Sequence, residues 1–495
     1  LASAVLLALC FPPFDFFFPP FVALIPLIQF IDDEPSDRRA VAGTALMGIF
    51  FWCCLLYWIT IFTRVGYLVV ALVMSLSLVA FTLTVRHLKR RFGLPLVFSV
   101  PVVWTAASYV HAHGDLAFPW GQLAYSLADW PFWLQLASVA GPYGVSAWIV
   151  TINVVLYELV LHRGGRKRSL RYGAALVLLI AVPALFGAWR YRAYDRIAAR
   201  APRLTVSYIQ PSMPQEIKWL PEVRDSTFAL LRDLSLEQAG RRPDLVVWPE
   251  AAAPAHLRIE KPYQRFVGDV ARRLGCHLLT GSPEYRWDSL TSAYESYNSA
   301  FFFDPSGRIL DSYDKIHLVP VSERFPWEDI FPALREIEVG GSHFMPGDRY
   351  TVFRFDEEAF SVLICFESIF PDMSRKFVRN GARFLVNITN DAWFERTSAA
   401  RQHSNFLVLR AIEEGRDIVR SANTGVSAFY DRLGRRRGAT DLFERTSTTD
   451  TIHTYGDLTV YARLGDWPAH IAWVTTLALL GWSMIFRRKR VDRAG

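Results

Sequence analysis

The chain has 495 residues, 52% of them hydrophobic and only 20% charged, with a formal net charge of +7. That balance is too apolar for an average soluble protein and too polar for a chain that only spans lipid, so two regimes must coexist. The basic excess gathers beside the apolar runs, which makes it a topology signal and argues against a nucleic-acid footprint.

Apolar runs of about 20 residues cross a hydrocarbon layer of ~30 Å as helices, because lipid offers no partner to free backbone groups. Eight are expected, at 1–12, 18–32, 41–62, 66–85, 94–112, 132–161, 170–190 and 467–486. The first looks clipped at its start. A secretory signal peptide is the alternative there, but the run lacks a basic start and a small-residue cleavage site, and another span follows at once. Positive charges fall in alternate loops: Arg38 and Arg39; Arg86, Lys89, Arg90 and Arg91; Arg163, Arg166, Lys167, Arg168 and Arg171; and the tail Arg487, Arg488, Lys489 and Arg490. The intervening loops hold almost none, Arg64 being the exception. Basic loops stay on the cytoplasmic side, so the polar stretch between the seventh and eighth runs is expected outside the cytoplasm. The domains expected are 1–190 as seven membrane helices, 203–464 as an exported unit, and 467–486 as the eighth helix, followed by a basic cytoplasmic tail at 487–495.

Within the exported unit, short β-type runs are expected at 204–209, 245–248, 277–280, 300–303, 350–355, 360–364, 384–388 and 427–430. Helical patterns lie at 222–237 and 261–274. This alternation is α/β patterning. The sequence has no H-E-x-x-H, C-x-x-C or G-x-x-x-x-G-K-[ST] signature, so neither a metal nor a nucleotide cofactor is expected. Of the five cysteines, Cys10, Cys53 and Cys54 fall in apolar runs. Cys276 and Cys365 could pair in an oxidising compartment, although Cys276 opens an apolar run and reads as a core thiol while Cys365 ends a strand.

Three segments place a reactive group just after a strand, where open α/β sheets gather functional residues. They are Val246 to Glu250 (V-V-W-P-E), Tyr313 to His317 (Y-D-K-I-H) and Leu363 to Ser368 (L-I-C-F-E-S). A thiolate is a nucleophile, a nearby lysine lowers its pKa, and a carboxylate takes and returns the proton. Taken singly, Cys365 also reads as a core cysteine, Glu250 as a helix-start carboxylate and Lys315 as a solvated loop residue. Cys365 with His317 or His403, in the manner of a cysteine protease, is a further pairing.

These segments resemble the nitrilase, or carbon-nitrogen hydrolase, superfamily, whose Glu, Lys and Cys follow W-P-E, D-K-x-H and C-x-E segments in this order. With apolar runs on both sides, the whole chain resembles the apolipoprotein N-acyltransferases, enzymes of the last step of bacterial lipoprotein maturation. Further matching segments are Gln210 to Trp219, His317 to Pro320 with Glu323, Asn390 to Phe394, Gln402-His403 and Tyr461 to Pro468. Glu395 and Ser322 depart from the resemblance, standing where the family usually has glycine.

The resemblance implies an α-helical membrane bundle carrying an α-β-β-α sandwich, in a multi-pass protein of the bacterial inner membrane with its catalytic unit on the periplasmic side. It implies Glu250, Lys315 and Cys365 as the catalytic residues. Glu323 and Glu367 would be supporting partners, with surface ion pairing as their alternative. Trp219 and Trp393 would line the substrate path, with rim packing as theirs. The acyl donor implied is a membrane phospholipid, and the acceptor is the amino group of a diacylglyceryl-modified cysteine at the N-terminus of an apolipoprotein. No metal or other cofactor is implied. The oily arm from Phe325 to Leu334 reads as a lid that dips into lipid, or as a segment packed on its own domain. A membrane-tethered amidase, in which water resolves the acyl-enzyme, is the alternative enzyme; a transporter or ligand-binding scaffold is the alternative outside enzymology.

Overall fold

The computed structural model describes residues 1–161, 165–289, 292–331, 333–334 and 343–485. Arg163, Phe486 and the basic tail 487–495 lie outside the described residues. The N-terminal part is helical: α1 (Ala2–Ala8), α2 (Ile25–Asp33), α3 (Asp37–Leu55), α4 (Arg64–Phe92), α5 (Leu96–Val110), α6 (Ala137–Val160) and α7 (Arg166–Ala198); a last helix, here α13, covers Trp467–Ile485.

Among the described residues, five helices are long and apolar enough to cross a membrane: α3, α4, α6, α7 and α13. The expected count of eight is not confirmed: the other three runs fold as shorter helices. The run at 1–12 yields only the 7 residues of α1, because the chain turns before Pro12 and Pro13, which cannot continue a helix. The run at 18–32 opens on Pro19 and Pro20 in a 3-10 turn and yields the 9 residues of α2. The fifth run yields α5, whose 15 residues rise ~22 Å at 1.5 Å each, a short apolar helix of the kind a locally thinned bilayer accommodates. α1 and α2 pack against each other in the bundle, the Leu27 N–H donating to Ser3 Oγ, and Asn153 of α6 accepts the N–H of Leu24 and donates to Pro20 O.

The polar stretch folds into two six-stranded sheets. The first contains β1 (Arg203–Gln210), β2 (Leu245–Val247), β3 (His277–Asp288), β4 (Ala293–Phe303), β5 (Ile309–Asp314) and β12 (Thr446–His453), in the order β12-β1-β2-β3-β4-β5. The second contains β6 (Phe353–Phe355), β7 (Glu358–Ile364), β8 (Phe384–Thr389), β9 (Ile418–Ala422), β10 (Ala428–Tyr430) and β11 (Arg436–Arg437), in the order β11-β10-β9-β8-β7-β6. Each has a parallel centre, β1-β2-β3 and β7-β8-β9, with antiparallel flanks.

Parallel strands covered on both faces read as continuous apolar runs, and Phe360–Ile364 and Phe384–Thr389 are buried throughout. The sheets meet through aromatic packing, with Phe302 of the first 5.2 Å from Phe360 of the second and Tyr208 5.1 Å from Phe429. Helices α8 (Pro221–Glu237) and α9 (Lys261–Leu274) cover the outer face of the first sheet; α10 (Pro371–Arg379) and α11 (Ala399–Glu414) cover that of the second. This is the α-β-β-α sandwich. Short α12 (Val460–Leu464) leads into α13. The run expected at 350–355 shortens to β6, and β5, β9, β11 and β12 went unforeseen, because half-polar strands such as Thr446–His453 carry no apolar run.

Candidate active site

β2 ends at Val247, and three residues carry the chain to Glu250. Trp248 is fully buried and donates its indole N–H to Ser235 Oγ on α8 at 2.9 Å, which anchors the exit from the strand. Gly281 of β3 lies against the same turn: a Cβ there would stand 2.7 Å from Glu250 Cα and 2.5 Å from Ala251 N. The Glu250 carboxylate is thus set down on the sheet. Its Oε1 accepts from Asn298 Nδ2 at 2.8 Å, and its Oε2 accepts from the Asn390 N–H at 2.8 Å.

Lys315 follows the last residue of β5. It is 1% exposed, and its Nζ lies 2.9 Å from Glu323 Oε1 and 3.7 Å from Glu250 Oε1. Glu323 in turn accepts the Val319 N–H at 2.8 Å, so its carboxylate ties down the loop that follows the lysine. Two carboxylates therefore hold one ammonium.

Cys365 directly follows β7 and starts a 3-10 turn, Cys365–Ile369, with φ at 51°. This left-handed backbone is unfavourable for a side chain bearing Cβ and persists only where neighbours hold it. Glu367 is one holder. Its Oε2 accepts the Ile364 N–H at 2.7 Å, while its Oε1 accepts from Tyr313 OH at 2.6 Å, Ile316 N at 2.7 Å and His317 N at 3.2 Å. One side chain thereby joins the cysteine turn to the lysine turn on the facing sheet. His403 is the other: its Nε2 lies 3.1 Å from Cys365 O and 3.0 Å from Ser368 Oγ, and its Nδ1 lies 2.9 Å from Asp391 Oδ1. Asp391 Oδ2 accepts from Arg420 at 2.6 Å.

Burial pushes the Cys365 thiol well above the ordinary cysteine range; Glu250 adds to this, and Lys315 opposes it without winning. The expected lowering by lysine is present as an interaction but not as the net result, so the resting thiol keeps its proton. Burial also pulls at the Lys315 ammonium, but Glu323 and Glu250 overcome it and hold the group above its usual value. Burial drives Glu367 up to about 7, against the Tyr313, Ile364 and Ile316 hydrogen bonds that favour its anion. Burial would raise Asp391 too, yet Arg420 and His403 hold it well below the usual carboxylate range. Such a site can pass a thiol proton to Glu250 during attack while Lys315 faces the developing oxyanion.

The structure brings Glu250, Lys315, Cys365, Glu323 and Glu367 together. Trp219 and Trp393 are not in that knot: they are 43% and 50% exposed, Trp219 on the loop between β1 and α8 and Trp393 in the 3-10 turn Asp391–Phe394. All five cysteines are free, so Cys276 and Cys365 are not paired; burial lifts Cys276 up to about 12. His403 addresses the carbonyl of Cys365 rather than acting as its acid-base partner, and His317 stacks on Phe370 at 4.5 Å. Asn298 and Lys218 went unforeseen. Asn298 is one polar residue inside a strand, which no local pattern marks; Lys218 lies within the segment Gln210 to Trp219, whose sequence does not show which of its side chains turns inward.

A glutamate, a lysine and a cysteine thus meet at strand ends of two facing sheets, and residues 205–456 match the carbon-nitrogen hydrolase family model, which places the two-sheet unit in that class. Residues 3–155 match the model of the apolipoprotein N-acyltransferase N-terminal domain. The apolipoprotein N-acyltransferase of Geobacter metallireducens is 33% identical over 99% of this chain and 95% of its own length; that of Chlorobaculum tepidum is 29% identical over 95% and 93%. The chain belongs to the apolipoprotein N-acyltransferase family. Among solved structures, an amidase from Nesterenkonia sp. is similar with a TM-score of 0.41 and 17% identity, over 55% of this chain and 97% of that one.

Proposed function

We propose that Glu250, Lys315 and Cys365 are the catalytic residues of this acyltransferase, which loads an acyl chain from a membrane phospholipid and delivers it to the amino group of a diacylglyceryl-modified apolipoprotein cysteine. The observation that supports this best is the shared hold on Lys315 by Glu250 and Glu323, with Cys365 close enough for both Glu250 and Lys315 to act on its thiol. As the Cys365 sulfur bonds to the ester carbonyl, its proton passes to Glu250. Lys315 and the Phe366 N–H stabilise the oxyanion. The oxyanion collapses, the ester C–O bond breaks, and Glu250 returns the proton to the departing lysophospholipid, leaving a thioester on Cys365. The neutral acceptor amine then attacks, Glu250 takes its surplus proton, the C–S bond breaks, and that proton returns to sulfur. The cycle is ping-pong.

Glu323 and Glu367 position the lysine and cysteine turns. Trp219 and Trp393, both exposed, belong to the path of the lipid chains. The domain division is 1–190 as membrane helices, 203–464 as the catalytic unit, and 467–486 as the last helix before the basic tail. The setting is the bacterial inner membrane, with the catalytic unit on the periplasmic side, as the alternation of basic loops supports. Intact-mass analysis after incubation with phospholipid tests the reading: one acyl group added at Cys365, absent in Cys365→Ala, is the expected result. Water clearing the acyl group as fast as it loads would favour the amidase.

A further inference from the structure

Lys218 is a second buried lysine at this site, and no step above uses it. It lies on the loop between β1 and α8 and is 1% exposed. Its Nζ has one hydrogen bond, to the backbone carbonyl of Glu250 at 3.5 Å, the outer limit of such a contact. The site's carboxylates are engaged elsewhere: Glu323 on Lys315, Glu250 on Asn298 and the Asn390 N–H. Among the described residues, none forms an ion pair with Lys218. A buried ammonium without a counter-ion is costly and is retained where an anion joins it. Burial pulls this one down to about 8, opposed by Glu250, whereas Lys315 with its two carboxylates is held high.

The cover over Lys218 is a loop crest rather than core. The Trp219 ring lies 5.8 Å from Nζ, and Ile217, Trp219 and Leu220 are all exposed. Apolar side chains facing outward around a hidden cation suit a lipid whose tails lie on the crest and whose anionic group reaches beneath it. Of the two substrates, only the donor must carry a phosphate close to its ester; the diacylglyceryl group of the acceptor has none.

We propose that Lys218 binds the phosphate of the phospholipid donor, with Nζ donating to a phosphate oxygen while the acyl ester lies at Cys365. The inference rests on the donor being a phospholipid. Single-turnover thioester formation is measured for wild type and Lys218→Met with two donors, a diacyl phospholipid and a p-nitrophenyl acyl ester that carries no phosphate. The variant should lose at least ~10-fold more with the phospholipid than with the nitrophenyl ester, the scale of one charge-assisted hydrogen bond. Transfer to a diacylglyceryl peptide from enzyme preloaded with the nitrophenyl ester should slow far less than phospholipid loading does. Lys218→Arg, which keeps the charge, should keep most of the preference for phospholipid, and it serves as the test if the methionine variant does not fold. Equal losses on both donors would mean that Lys218 acts through Glu250, and the inference falls. A wild type that loads from the nitrophenyl ester but never from phospholipid overturns the donor assignment instead.

Discussion

The Nε2 of His403 stands 3.1 Å from the carbonyl oxygen of Cys365, and the residue before it on α11, Gln402, reaches the other way, donating to Pro12 O and Leu55 O and accepting from Trp120 Nε1 at 2.8 Å. Two successive side chains thus tie the strained Cys365 turn to the helical bundle. The hydrogen bond holds the Cys365–Phe366 peptide, whose N–H is the proposed second donor to the oxyanion. His403→Ala should therefore slow single-turnover acylation by ~10-fold or more, as expected for a buried hydrogen bond lost, with little change in the donor concentration needed for half-saturation. A change confined to half-saturation would assign His403 to binding.

Lys315→Met should lower acylation by at least ~10²-fold, the scale of one oxyanion donor. It also leaves Glu250 and Glu323 without the ammonium that both hold, at 3.7 and 2.9 Å, so the variant's melting temperature should fall as expected for a broken buried ion pair. An unchanged melting temperature would separate the two carboxylates from this lysine.

The raised Cys365 thiol makes a prediction about the resting enzyme. Because the thiolate is the species alkylated, iodoacetamide at pH 8 should modify Cys365 more slowly than free cysteine, and the rate should keep climbing past pH 9. A plateau near neutral pH would mean that Lys315 already holds a thiolate before substrate arrives.

Much of this site was readable before the fold was known, for a specific reason. Glu250 and Cys365 follow the short buried strands β2 and β7, whose apolar residues leave a local signature, whereas Lys315 follows the half-polar β5 and is marked by its D-K-x-H segment alone. Glu323 and Glu367 lie within eight residues of a catalytic group, 8 from Lys315 and 2 from Cys365, and shared the same signal. Asn298 and Arg420 reach the site from the middle of β4 and β9, where only the pairing of strands decides what they face. The count of eight spans is unconfirmed for a different reason. Composition marks where lipid-compatible residues lie, but prolines at 12, 13, 19 and 20 decide where a helix can run.

Glu395 stands where the resemblance has glycine, and its backbone has φ 48° and ψ −148°, a region natural to glycine alone. Glu395→Gly should raise stability by about 1 kcal/mol, strain relief exceeding the added freedom of the unfolded chain, as thermal unfolding in detergent would show. Ser322, the other departure, has no such strain; the left-handed residue there is its neighbour Val321, at φ 69°. Ser322→Gly should therefore bring no gain.

The arm after Glu323 presents Trp327, Ile330 and Phe331 at 46%, 67% and 60% exposure, so packing on its own domain does not account for these three side chains. Its base is stitched by Arg324 to Glu328 at 3.2 Å and to Asp329 at 2.7 Å, and the Trp327 N–H donates to Asp115 Oδ2 at 3.0 Å. Asp115 lies in the stretch 111–131, which has no lysine or arginine and is expected on the same side of the membrane as the catalytic unit. On the proposed topology the exposed crest faces the outer leaflet, and each large apolar side chain buried there is worth about 1.5–3 kcal/mol. Replacing Ile330 and Phe331 together by aspartate should cut acylation from phospholipid vesicles by at least ~10-fold. It should spare acylation by a soluble nitrophenyl ester, because neither residue touches Glu250, Lys315 or Cys365. An equal fall with both donors would show that the arm shapes the catalytic turn through Glu323, whereas unchanged vesicle rates would remove it from the lipid path.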